Sequence, residues 1–314
     1  MGLRVAFFGT PSFAVPTLER LHHSAHTVAG VITQPDRPRG RGQQVTEGAV
    51  KSLAASLQLP VLQPERLARD GFEEAFRALG ADIGVVAAYG KILPDWLLAT
   101  PRLGLINVHA SLLPRYRGAS PVHRAVISGD AETGVTIMRV VKALDAGPML
   151  SRVQVPIGDA DTTTMIEAEL AVRGAALLVA TLDDLEHGRA TETPQDESLV
   201  TYAPKVTKAE GAIDWRRPAR DLHNLIRGLW PWPHAYAFLD GTRFILHRSR
   251  LSSHRSSAPP GTVLAASAAD GLHVACGDAA LEIIDLQLEG KRVMNARDAM
   301  ASPLLKSGAR FSTP

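Results

Sequence analysis

The sequence predicts an α/β protein: a Rossmann-like, mostly parallel sheet with flanking helices, followed by a smaller OB-like β-barrel domain. Three observations lead there. The first half alternates short β-branched or apolar runs with helical patterns, the rhythm of parallel strands joined by crossover helices. Past residue 206 the rhythm changes to short strands separated by turns. At 314 residues the chain exceeds one typical domain, so each part can bury its own core.

In chain order, strands are expected at residues 3–8, 27–33, 82–88, 104–109, 134–140 and 149–155. The stretch 45–57 carries apolar residues at helical spacing, and 162–187 is a long amphipathic stretch opening on cap-type threonines. Two loops, 34–44 and 111–121, are too long and too rich in Gly, Pro and Arg to be simple connections, and such loops carry function. This places one domain over 1–188, a polar linker over 189–206 and a second domain over 207–314. In the latter, a helix near 219–229 and the Trp230-Pro231-Trp232-Pro233 segment precede five strands, at 235–239, 242–247, 261–264, 272–275 and 281–288.

With 45% apolar and 21% charged residues the chain is globular, and its apolar runs are too interrupted to span a bilayer. No membrane is expected. The N-terminus reads as a strand and turn rather than a signal peptide, which implies a cytoplasmic protein. The single cysteine, Cys276, excludes an internal disulfide and a cysteine-based metal site. His22, His23 and His26 have no carboxylate or cysteine nearby in sequence, so no metal is expected. Net charge is only +2, but from residue 207 onward 14 Lys and Arg face 10 Asp and Glu, leaving the first 206 residues slightly acidic. Arg243, Arg248, Arg250 and Arg255 lie in a stretch with no acid, which either faces phosphates or is a solvated basic surface.

Two fragments carry chemistry. The strand ending Asn107-Val108-His109 places an amide and an imidazole on one face, at the carboxyl end where open α/β sheets bind ligands. Together they can hold a carbonyl oxygen as it becomes negative, which suits acyl transfer. The plainer alternative is an Asn and a His satisfied locally in a buried turn. The second fragment, Leu144-Asp145-Ala146-Gly147-Pro148, follows a strand and bears one carboxylate; at the same crevice Asp145 can orient the imidazole, and elsewhere it is an ordinary turn residue. Gly9-Thr10-Pro11 lacks the three spaced glycines of a dinucleotide site.

These fragments, with Ser111-Leu112-Leu113-Pro114-Arg115-Tyr116-Arg117-Gly118, resemble the folate-dependent formyltransferases, and within them the methionyl-tRNA formyltransferase family. Phe8-Gly9-Thr10-Pro11, Thr33-Gln34-Pro35-Asp36-Arg37-Pro38 and Val200-Thr201-Tyr202-Ala203 extend the likeness over nearly the whole chain. The resemblance implies a catalytic group of Asn107, His109 and Asp145, and 10-formyltetrahydrofolate as formyl donor. It implies that Ser111, Leu112, Leu113 and Pro114 contact the folate, that Tyr89 and Gly90 belong to the pterin pocket, and that the partner is initiator methionyl-tRNA met by a monomer. Arg37 and Arg41 belong to the loop that meets the acceptor end, where Gln43 and Gln44 replace the lysines frequent in relatives. Phe13 either lines the methionine pocket or is core. The rival readings are formyl transfer to an amino-sugar nucleotide, hydrolysis of the same folate, or a catalytically silent folate- or tRNA-binding module.

Overall fold

The computed structural model describes residues 2–39, 44–68, 71–255, 257–267, 269–300 and 302–312. They form two compact units: Met1–Pro121, Thr133–Pro156 and Glu167–Ala203 make the first, and Val122–Glu132, Ile157–Ile166 and Pro204–Pro314 the second.

The first unit is built on a seven-stranded sheet. Its strands are β1 (Arg4–Gly9), β2 (Thr27–Ile32), β5 (Val61–Leu62), β6 (Ile83–Ala87), β7 (Leu105–His109), β9 (Glu132–Arg139) and β10 (Met149–Pro156), in the order β10-β9-β7-β6-β1-β2-β5. From β5 to β7 neighbouring strands are parallel, whereas β9 runs antiparallel to β7 with Thr136 opposite His109. After its first residue β1 is wholly buried, as expected of a parallel strand covered on both faces. Helices α1 (Val15–His22), α2 (Ala49–Ser56), α3 (Phe72–Ala78), α4 (Asp95–Leu98) and most of α6 (Thr163–Glu186) belong to this unit, whereas α5 (Pro121–Ser128) falls almost wholly in the second. A core of Phe8, Ile32, Phe76, Tyr89, Leu97 and Leu105 packs against the sheet. Gly174 brings α6 close behind β7 and β9, since a Cβ there would meet Val108 at 3.0 Å and Val135 at 3.2 Å.

Two short pairings lie off this sheet. β3 (Arg37–Arg39), in the loop at 34–44, pairs antiparallel with β4 (Gln44–Thr46), whose last two residues are strand where helical spacing is expected from residue 45; the helix begins only at Ala49. β8 (Arg117–Gly118) pairs parallel with β11 (Tyr202–Ala203), tying the loop after β7 to the segment after residue 200.

In the second unit the strands are β12 (Ala235–Leu239), β13 (Thr242–Ser252), β14 (Val263–Ser267), β15 (Gly271–Ala275), β16 (Ala280–Leu288) and β17 (Met294–Asn295). Their order is β12-β13-β16-β15-β14, with β17 on β16 and each of these pairs antiparallel. β13 continues five residues beyond its expected end because its register breaks around Arg248, where a bulge interrupts the alternation on which the sequence reading relied. Residues 308–312 join the two free edges of this sheet: Val263 N–H donates to Ala309 O at 2.8 Å, and Phe238 and Ser312 exchange backbone bonds at 3.3 and 2.8 Å. Helix α7 (Ala219–Gly228) and α8 (Ala296–Ala299) complete the unit, whose core includes Trp215, Leu222, Phe244, Leu246 and Phe311.

The arginine-rich stretch is not acid-free in three dimensions. Across the β13–β16 ladder, Arg248 pairs with Asp285 at 2.7 Å and Arg250 with Glu282 at 2.6 Å. Opposed charges on neighbouring strands satisfy one another, a partnership invisible to a local charge count. Arg243 lies over the Tyr236 ring at 4.0 Å.

Candidate active site

β7 ends on Asn107, Val108 and His109, and alternation puts the first and last on one face. His109 is only 5% exposed. Its Nε2 lies 3.0 Å from Tyr116 O; a carbonyl only accepts, so Nε2 carries a hydrogen. Its Nδ1 faces Asp145 Oδ2 at 3.8 Å. Both ring nitrogens therefore look at acceptors. The half-buried Asn107 side chain makes no hydrogen bond to another described residue, leaving its amide available to a ligand.

Asp145 is held in the left-handed region, φ +46°, which costs a non-glycine residue on the order of 1–3 kcal/mol unless its surroundings impose it. They do. Gly118 N–H donates to Asp145 Oδ2 at 2.8 Å, and Gln195 Nε2 donates to the backbone oxygens of Asp145 and Gly147, each at 2.8 Å. Gly118, at φ +124°, approaches β11 so closely that a Cβ would sit 2.8 Å from Ala203 O. Gln195 is in turn held by Arg117, whose Nε and Nη2 donate to its Oε1 at 3.0 and 2.8 Å.

The turn after His109 is pinned from β9. Thr136 Oγ1 donates to Ser111 O at 2.7 Å and accepts from Leu113 N–H at 3.1 Å, while Ser111 Oγ donates to Arg115 O at 2.6 Å. Ser111 and Leu113 are buried, Leu112 and Pro114 half-buried, and the Leu113–Pro114 peptide is cis. Tyr89 lies differently from what a pocket-lining ring would require: its ring is 1% exposed and packs edge-to-face on Phe8 at 5.5 Å, and burial pushes its hydroxyl up to about 12. Its backbone oxygen accepts from Gln34 Nε2 at 2.6 Å, and Gly90 beside it is exposed at φ +76°.

Arg37 is exposed on β3, Phe13 half-buried in the 3-10 turn Ser12–Ala14, and Arg41 lies outside the described residues. No hydrogen bond or ion pair among the described residues joins Arg37 or Phe13 to the His109 group. The base of the loop that carries Arg37 is firmly tied: Asp36 pairs with Lys51, Gln63 Nε2 donates to Gln34 O and Asp36 Oδ1 at 3.1 and 3.2 Å, and the hydrogen bond from Lys51 holds the Asp36 carboxyl below its usual range.

Folding also brings Asp183 and Glu186 to His26, a cluster with three potential metal-ligand atoms. Leu3 N–H donates to His26 Nδ1 at 3.1 Å, so the ring's hydrogen is on Nε2, which lies 3.3 Å from Asp183 Oδ1 without making a hydrogen bond to it. In this tautomer Nε2 carries a hydrogen and has no lone pair free for a metal.

A model described as formyl transferase matches residues 3–182, and one described as formyl transferase, C-terminal domain, matches residues 205–304. The chain belongs to the formyl transferase family. Among this family's members it is 46% identical to a methionyl-tRNA formyltransferase of Methylococcus capsulatus, over 99% of this chain and 100% of that protein. It is likewise 46% identical to one of Stutzerimonas stutzeri, over 94% and 93% of the two chains. Solved structures share the formyltransferase fold at low identity. A Helicobacter canadensis N-formyltransferase in complex with folinic acid and dTDP-3-aminofucose superposes with a TM-score of 0.66 at 15% identity, covering 90% of this chain and 99% of that one. HypX of Aquifex aeolicus in complex with tetrahydrofolic acid gives a TM-score of 0.62 at 15% identity over 96% of this chain, which spans about half, 47%, of HypX.

Sequence reasoning missed Gln195 and Arg117 as parts of the site. Gln195 sits in a polar stretch that reads as linker, fifty residues from the loop it grips. Arg117 stood within a recognised motif, but nothing local names its partner.

Proposed function

We propose that the chain transfers the formyl group of 10-formyltetrahydrofolate to the amino group of methionine carried by initiator tRNA, in the cytoplasm and as a monomer. The observation that carries this reading is the 46% identity, over essentially the full length of both chains, to a methionyl-tRNA formyltransferase. Asn107, His109 and Asp145 perform the chemistry. As the neutral amine adds to the formyl carbon, the formyl oxygen becomes negative and the unengaged amide of Asn107 donates to it; collapse of this intermediate then breaks the carbon–N10 bond, and N10 leaves with a proton as the former amine gives one up. His109, with an acceptor at each ring nitrogen, supplies a nearby positive charge when doubly protonated and can take and return a proton. Asp145 keeps the ring oriented and its charge compensated.

The formyl donor is bound by Ser111, Leu112, Leu113 and Pro114 on one side and by the segment after β6 on the other. From Tyr89 to Leu93 that segment makes no backbone–backbone hydrogen bond among the described residues, so its peptide groups suit the edge of a flat heterocycle. We assign catalysis to the first domain, including Gly90 and the Tyr89 backbone, and tRNA contacts to the hairpin loop with Arg37 and Arg41 and to the domain at 207–314. Phe13 is assigned to the methionine side.

The test offers the formyl donor with charged initiator tRNA, charged elongator tRNA and an amino-sugar nucleotide. Preferential formylation of the initiator supports the proposal. Transfer to the sugar alone, or release of formate without transfer to any acceptor, rejects it.

A further inference from the structure

A carboxylate is useful beside an imidazole only where the backbone delivers it, and the loop that delivers Asp145 is unusual. It is antiparallel in origin: β9 returns past β7, so Arg139 stands opposite Ile106, and the following nine residues rejoin the sheet where Arg139 N–H bonds Pro148 O at 2.9 Å. Strand pairing thus fixes the feet of the loop and leaves Asp145, in left-handed backbone, to be placed by other means. Gly147 lies so close to the Arg139 backbone that a Cβ would be 2.0 Å from Arg139 O.

We propose that Gln195 is a positioning residue of the catalytic site, acting through Asp145, and that Arg117 fixes the orientation in which it acts. An amide has one acceptor end and one donor end. The side chain of Arg117, 4% exposed, occupies the acceptor end with two N–H groups, which leaves the NH₂ group turned toward the loop. That group then bridges two carbonyl oxygens, those of Asp145 and Gly147. Arg117 has further anchors: its guanidinium pairs with Glu197 at 2.8 Å and its N–H donates to Thr201 O at 2.9 Å. Its neighbour Gly118 donates to the Asp145 carboxylate itself. The two-residue strand β8 therefore controls Asp145 twice, once at the carboxylate directly and once at the backbone through Gln195. The result is a carboxylate whose distance from His109 Nδ1 is set by a residue that touches neither partner's reacting atoms.

This inference rests on the formyl-transfer reading, and its test separates the two. Gln195→Ala removes the bridge; Gln195→Glu keeps size and the Arg117 contact but replaces the donor with an acceptor facing two carbonyls. Both should lower kcat on the order of tenfold to a hundredfold with KM for donor and tRNA within about twofold, and the loss should vanish when Asp145 is already Asn, because residues acting as a unit are not additive. Independently of activity, the Gly118 amide should exchange with solvent about tenfold faster in Gln195→Ala, while the Ala119 amide, bonded to Ala203 O at 2.9 Å, should not. A kcat within twofold of wild type, the same fold-loss in the Asp145→Asn background, or equal acceleration of both amides overturns the proposal. Wild-type protein that formylates no charged tRNA would overturn the functional reading instead, and the two amides would still decide the clamp.

Discussion

Replacing Asp145 by Asn isolates what its charge does. The side chains are the same size, and an amide oxygen can still accept from Gly118 N–H, so the loop has no reason to move. What disappears is a unit charge 3.8 Å from His109 Nδ1. At an effective dielectric of about 20, two unit charges at that distance attract by about 4 kcal/mol. The Asp145 side chain is 17% exposed and the His109 side chain 6%, so water reclaims a part of this, leaving about 3 kcal/mol, or roughly a hundredfold in rate. Single-turnover formylation of charged initiator tRNA, at saturating donor, reads that quantity without interference from product release. A Tm within about 2 °C of wild type shows that the loop has held. A slowing of less than about threefold would mean that the carboxylate is not coupled to the imidazole during the reaction, and the assigned roles would fail.

Asn107→Ala removes the unengaged amide and should cost on the order of 10² to 10³ in kcat with KM little changed; a KM effect alone would recast Asn107 as a binding residue. Phe311→Ala should destabilise the second unit by about 3 kcal/mol and lower its Tm by on the order of 10 °C, because the ring is 3% exposed against Trp215 and Phe244, with centroids 5.6 and 5.5 Å away; calorimetry checks it. His123, His223, His234 and His247, all in that same unit, are held below the ordinary histidine range chiefly by burial. Their folded values lie under the unfolded value of about 6.5, so the unfolded chain protonates first as the medium is acidified; the stability they confer is present above about pH 6.5 and is lost as pH falls through the lower folded values. Melting temperature should therefore drop on going from pH 7 to 5, and His247→Gln should flatten that drop.

Much of the fold could be read from periodicity. The expected helix at 162–187 is found as Thr163–Glu186, and the strand ending in His109 stands where its alternation put it, because both patterns report burial on a single element. Elements too short to show a period escaped: β5 has two residues and β3 three, the latter inside a stretch that reads as loop, and β4 has three, two of them in a stretch that reads as helical. Partnerships across elements escaped as well. Asp285 and Glu282 temper Arg248 and Arg250 only once β13 and β16 are laid side by side. At the candidate site, alternation along one strand pairs Asn107 with His109, whereas Asp145 alone reads as a turn residue and joins them only through the resemblance; Gln195 advertises nothing until the carbonyls it bridges are known. Tyr89, which the resemblance assigns with Gly90 to the pterin pocket, has its aromatic ring in the core and its backbone oxygen bonded to Gln34.

The strip of residues 308–312 has implications for how the second unit comes to exist. Its partners, Phe238 and Val263, lie dozens of residues earlier, and loops of that span close slowly. During that interval two strand rims stand open, each offering unpaired peptide groups to any passing strand, including the same strip from another molecule. Chains cut before residue 308 should consequently clump or exchange strands instead of merely melting sooner. An intact strip is what keeps the barrel to itself.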